Sequence, residues 1–222
     1  MLKAQRKYLI TTILLLTIPV ILLVIMGGNK VEAALSDLFI SEYIEGSSNN
    51  KAIELYNGTG ETIDLGAEGY NIKMFFNGSS TAGLTINLSG TVADGDVFVL
   101  VHSSAAAGLL SLADQTNNLG WYNGDDAVVL YKGAIVVDSI GRIGEDPGDE
   151  WSNSGVTTGD STLVRNSSIT SGDTDPYNAF DPAAQWIAYP VNTYSYIGSH
   201  VVDSYDVTFD LGEHGTLGSG DL

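Results

Sequence analysis

Carboxylates are where this chain concentrates its capacity for chemistry. Residues 40–57 read ISEYIEGSSNNKAIELYN. Two runs of β-forming residues flank GSSNN, a tip made of turn-forming residues. Pairing the runs about Ser48 sets Tyr43 opposite Ile53, Ser41 opposite Leu55 and Glu45 opposite Lys51. The same register places Glu42 directly opposite Glu54. Like charges facing each other in a ladder destabilise it, so the pair needs a physical reason. Three answers are open. The two could share a cation, share a proton because adjacent carboxylates do not both ionise freely, or accept hydrogen bonds from backbone or tyrosine groups.

A second acidic constellation follows late in the chain. Asp173, Asp175 and Asp181 put three carboxylates in a loop that also carries Asn178. Calcium takes six to eight oxygen ligands from such loops, so these three are the candidate metal ligands, with calcium the candidate ion. The spacing is not that of a twelve-residue EF-hand loop. The competing reading is that Asp and Asn make side-chain turns here. Asn123-Gly124-Asp125-Asp126 reads as a turn entering the strand AVVLY, and residues 145–150 read as a solvated acidic turn. Trp121 and Tyr122, in the loop NLGWYNGDD, are the candidate ligand-contacting aromatics, for instance for polysaccharide. The competing reading is that Trp121 caps the core, since an exposed Trp is the rarer case.

Covalent catalysis finds less support. The chain has no cysteine, and its three histidines, His102, His200 and His214, sit in separate contexts. No G-x-S-x-G elbow occurs, and no His/Asp/Asn cluster suited to a metal-dependent nuclease assembles from the sequence. The expectation is that this chain is not an enzyme.

Positioning such residues requires a core, and the composition bounds it. Lys3, Arg6 and Lys7 precede an apolar run from Leu9 to Met26, and Val31-Glu32-Ala33 supplies small residues at the −3 and −1 positions. That is the pattern of a secretory signal peptide over residues 1–33, cleaved after Ala33, and it implies a secreted or cell-surface protein. The full chain carries 27 acidic and 9 basic residues. Without Lys3, Arg6, Lys7, Lys30 and Glu32 the remainder keeps 26 acids against Lys51, Lys73, Lys132, Arg142 and Arg165, a net charge of −21. Such a surface repels phosphate backbones, so nucleic acid is not an expected partner.

From Leu35 onward, short runs rich in Val, Ile, Tyr and Phe alternate with Gly, Asn, Asp and Ser: LFISEYIE, KAIELYN, YNIKMFF, GLTINLSG, DVFVLVH, AVVLYKG and AIVVDSIG. Lys132-Gly133 reads as the turn of a tight hairpin. One segment, residues 103–115, reads as a short helix with Ser104 as its cap. Trp151, Leu163, Val164, Trp186, Ile187, Tyr189, Tyr194 and Tyr196 are expected to close over one end. Many evenly spaced strands with one short helix predict an all-β, antiparallel β-sandwich over residues 34–200. Residues 201–222 then hold a linker and a lone strand, YDVTFDL, that has nothing to pair with.

At this point the residues resemble a family. ISEYIEGSSNNKAIELYN, NGDDAVVLYKGAIVVDSIGRIGEDPGDEW and DPAAQWIAYPVNTYSYIGSH are similar to the bacterial lamin-tail domain, an immunoglobulin-like module. The resemblance implies an immunoglobulin-like sandwich without a catalytic site of its own, carried as an accessory part of secreted or surface proteins. It also implies that Glu42 and Glu54 occupy typically acidic positions. VTFDLGEHGT is similar to the start of internalin-type B repeats, which implies a truncated repeat module at the C-terminus. Two functions are therefore expected. One is a binding or structural module whose partner is a surface protein or polysaccharide. The other is the N-terminal accessory domain of an extracellular nuclease or phosphoesterase whose catalytic part lies elsewhere.

Overall fold

A computed structural model describes residues 35–203. The leader over 1–33 and the repeat-like strand YDVTFDL lie outside those residues. The described strands are β1 (Phe39–Glu45), β2 (Lys51–Tyr56), β3 (Ile63–Asp64), β4 (Tyr70–Phe75), β5 (Leu84–Asn87), β6 (Thr91–Val92) and β7 (Val97–His102). After them come β8 (Gln115–Asn117), β9 (Ala127–Lys132), β10 (Ile135–Ile140), β11 (Ser152–Asn153), β12 (Val156–Thr157), β13 (Ser161–Arg165) and β14 (Trp186–Pro190). A six-stranded sheet, in the order β14-β13-β1-β2-β7-β8, faces a four-stranded sheet, β10-β9-β4-β5. β3 with β6 and β11 with β12 form two small ribbons. The result is the all-β sandwich that the strand spacing predicts, of the immunoglobulin-like kind that the resemblance implies.

All seven predicted strands are present, because β-branched and aromatic residues in short runs fit a pleated, half-buried surface. The sandwich core joins Ile40, Tyr43, Ile53, Leu55 and Leu163 of the large sheet to Ile72, Leu130 and Ile86 of the small one. The large sheet buries its other face too. Ile44, Ala52, Val99 and Val101 pack there against Ala105, Leu109 and Ile197. β1 is therefore buried at every residue, and that is why it includes two glutamates and a serine without an exposed side.

Several expectations need correction. Ser41 does not face Leu55; a bulge between Ile40 and Glu42 sets Ile40 opposite Leu55 and leaves Ser41 as the extra residue. The hairpin turn is Gly133-Ala134, since Lys132 still pairs with Ile135, and Gly133 takes φ 60°. The helix over 103–115 shrinks to α1 (Ala107–Leu110), which has Ala106 rather than Ser104 at its start and no side-chain cap. Three long-range bonds outcompete it: Asn50 Oδ1 takes the Ala106 N–H, and Asp114 bonds the backbone of Val99 in both directions. The chain thereby leaves the helix early and lays β8 parallel to β7, the exception to the antiparallel pattern. A second helical turn, α2 (Pro182–Gln185), is capped by Asp181. Leu163, Val164, Trp186 and Ile187 are not an end cap; β13 and β14 extend the large sheet, with β13 paired to β1.

Candidate functional site

Glu42 and Glu54 pair across β1 and β2 in the expected register. They point away from the sandwich core, onto the face of Ile44, Ala52 and Val99, and both are 1% exposed. The segment after β14 lies over Glu54, bonding it through the Gly198 N–H. Residues 191–203 form a strap that starts at the β1–β2 tip, where Asn192 bonds Ser47, and runs down the sheet to His200. On the way Thr193 O accepts from Thr162 Oγ1, Ile197 enters the outer apolar cluster, and the His200 ring meets Phe39 and Tyr56.

The two carboxylates are treated differently. Glu54 accepts from Ser41 Oγ at 2.6 Å and from the Gly198 N–H of the strap at 2.5 Å. The bulge is what frees Ser41 to reach it. Burial pushes the Glu54 carboxyl upward, and these hydrogen bonds pull it back. Among the described residues neither oxygen of Glu42 has a hydrogen-bond partner. Burial, and then the charge of Glu54, push Glu42 from 4.5 up to about 9. At neutral pH Glu42 is therefore a carboxylic acid facing the hydrogen-bonded carboxyl of Glu54. The hydrogen-bond answer holds for Glu54 and fails for Glu42. His200 Nε2 is likewise buried without a partner among the described residues, and burial, with Arg165 second, holds the ring down to about 4.

Trp121 and Tyr122 do not form an exposed platform. Trp121 is 7% exposed and lies edge-on to His102, while Tyr122 is fully buried and stacks on Tyr43 at 4.6 Å. The Tyr122 hydroxyl reaches the carbonyls of Ile44 and Ala52, both at 2.9 Å. His102 stays at the rim, its Nδ1 accepting from the Ser104 N–H.

The three aspartates of the late loop are engaged separately. Asp173 accepts from the Asp175 N–H and from Asn178, Asp175 accepts from the Tyr177 N–H, and Asp181 caps α2 and accepts from Asn153. Asp173 and Asp181 line a polar depression of about 190 Å³ with Ser139, Asn178 and Gln185, but Asp175 does not. Among the described residues no group of three or more His, Asp or Glu side chains is arranged to hold a metal ion. These carboxylates are turn-makers in the geometry observed.

One buried polar group is not legible in the sequence. Asp138, in the apolar run AIVVDSI, and Arg165 form an ion pair with both side chains fully buried. Asp138 also accepts the N–H groups of Ile40 at 2.7 Å, Asp173 at 2.7 Å and Ser139 at 2.8 Å. Arg165 donates to Ile40 O at 2.9 Å and to Gln185, with its guanidinium 4.2 Å from the centre of the Trp186 ring. Burial works against both charges, and their attraction and these hydrogen bonds oppose it. Asp126 works similarly at the other end, accepting the Asn77 and Asn123 N–H groups. The only advance signal for Asp138 was a lone acid inside a hydrophobic strand.

The family comparison agrees with the fold. A family model described as the Lamin Tail Domain matches residues 32–144. Among solved structures, the crystal structure of a DUF4876 family protein from Bacteroides thetaiotaomicron VPI-5482 is similar, at 12% identity and a TM-score of 0.42, covering 84% of this chain and 75% of that one. No curated protein matches.

Proposed function

This chain belongs to the lamin tail domain family, and from that premise we propose that it is a non-catalytic binding or structural module of an exported bacterial protein. One observation carries the reading. The side chains with the most chemical potential are spent on the chain's own backbone, across long sequence separations. Asp138 holds β1 and the late loop, Glu54 holds the strap, and Tyr122 holds two neighbouring strands. A buried polar group so committed rigidifies a fold, and a general acid or nucleophile must instead reach a substrate. Export rests on the leader-like segment, and the partner is a surface protein or polysaccharide.

The second reading, an accessory domain of an extracellular nuclease or phosphoesterase, differs in what the domain is attached to and not in what it does itself. One experiment addresses both. The purified chain is assayed on a phosphodiester and a phosphomonoester chromogenic substrate with magnesium, manganese or zinc, and screened on an array of bacterial surface glycans. No turnover is expected under any metal. Turnover that co-purifies with the folded chain and is lost in a point variant would overturn the non-catalytic assignment.

A further inference from the structure

The strap and the carboxylate rung beneath it form one mechanical unit. Glu54 is bonded to the strap through the Gly198 N–H. Glu42, its partner across the ladder, is buried beside it with both oxygens unpaired among the described residues, and its charge acts on Tyr189, which bonds Tyr196 of the strap. An ionised carboxylate there would be desolvated by burial, without a hydrogen bond from the described residues, and would face a second carboxyl group. Lifting the strap restores water to both. We propose that residues 191–203 are a proton-controlled latch, closed on the large sheet while Glu42 and Glu54 hold a proton between them and released when that proton leaves.

Other titratable groups around the rung set the window in which this is readable. Tyr189 of β14 and Tyr196 of the strap are hydrogen-bonded to each other, which pushes Tyr189 upward, away from the interval concerned. Tyr194 of the strap is also pushed upward, by burial. Asp114, ahead of β8, repels Glu54, and Arg165 of β13 acts on His200. His200 is the other group of the strap that the closed state keeps neutral.

The linkage can be followed through both. Glu42 is raised from 4.5 to about 9 in the closed state. Its contribution to closure is complete below 4.5 and lost progressively as pH rises to about 9. His200 is lowered from 6.5 to about 4, so its contribution is complete above 6.5 and lost as pH falls. Between 4.5 and 6.5 the two slopes oppose each other, and closure is nearly level. Above 6.5 His200 no longer opposes the rung, and the strap opens more readily with each step in pH.

Hydrogen exchange on the full chain between pH 6.5 and 9, corrected for intrinsic base catalysis, reads this directly at the strap amides. Wild-type protection at Gly198 is expected to fall roughly threefold or more per pH unit, against a ceiling of about tenfold for one proton. Glu42→Gln cannot ionise and should give a flat profile, while amides of β9 stay protected in both proteins. Glu54→Gln removes only the second cause of the raised Glu42 carboxyl, burial being the first, so it should make the slope level off at a lower pH without abolishing it. Glu42→Met, which also cannot ionise, serves if Glu42→Gln does not fold. A pH-independent wild type, or a slope that Glu42→Gln retains, overturns the latch. So does a gain in strap protection on adding about 5 mM calcium that Glu42→Gln abolishes, because a ligand bound only to the closed form stabilises it and the rung would then be a cation site.

Discussion

Arg165 has no water to fall back on. Its guanidinium is enclosed by Asp138, Gln185, the Ile40 carbonyl and the Trp186 ring. Replacing it with Met would leave Asp138 charged and unpaired in the core, which costs about 3–5 kcal/mol. Urea denaturation of Arg165→Met against wild type measures the loss; Asp138→Asn with Arg165→Met should recover much of it. Tyr122→Phe is a smaller test. It leaves two buried carbonyls without their shared donor and should cost about 1–3 kcal/mol in the same assay. At this scale the sequence revealed half of the picture. Glu42 and Glu54 were visible because a turn fixes hairpin register. Asp138 and Arg165 were not, because no local pattern connects residues on separate strands.

Elements were legible where local preference and tertiary packing agree. The seven apolar strands are such cases. β13 and β14 were not, because STLVR and WIAYP are short, mixed in polarity, and become strands only by pairing with β1 and with each other. The helix over 103–115 failed for the opposite reason, since Asn50 and Asp114 offered its backbone better partners. Turns between elements impose their own demands. Gly141 follows β10 at φ 77°, and a Cβ there would lie 2.8 Å from the Trp151 ring and 3.0 Å from Ala127 Cα. Gly141→Ala is therefore expected to destabilise by about 1–3 kcal/mol, through both backbone strain and the displaced indole. A thermal melt followed by tryptophan fluorescence shows it as a lower Tm.

For the whole molecule, charge is the dominant quantity. The sequence carries a formal net charge of −18, and such self-repulsion opposes the compact state until salt screens it. Sodium chloride should raise the Tm steadily up to a few hundred millimolar. Calcium at matched ionic strength should add nothing further, and Asp175→Ala should respond like wild type, because Asp173, Asp175 and Asp181 are each committed to their own turn. Differential scanning fluorimetry separates the two cations in one plate. A calcium-specific rise lost in Asp175→Ala would establish the ion-binding reading of that loop.

The ring of His200 rests on Phe39 and Tyr56, so the path into the first strand and the path out of the strap meet at one end of the large sheet. A domain whose two ends adjoin adds almost no length to a polypeptide that contains it. Tension between those ends would load the strap first and peel it from His200 upward while the sandwich stayed whole. Freeing residues 191–203 would release roughly 45 Å of contour, so the domain would yield by a fixed short length before any strand is pulled from the sheet.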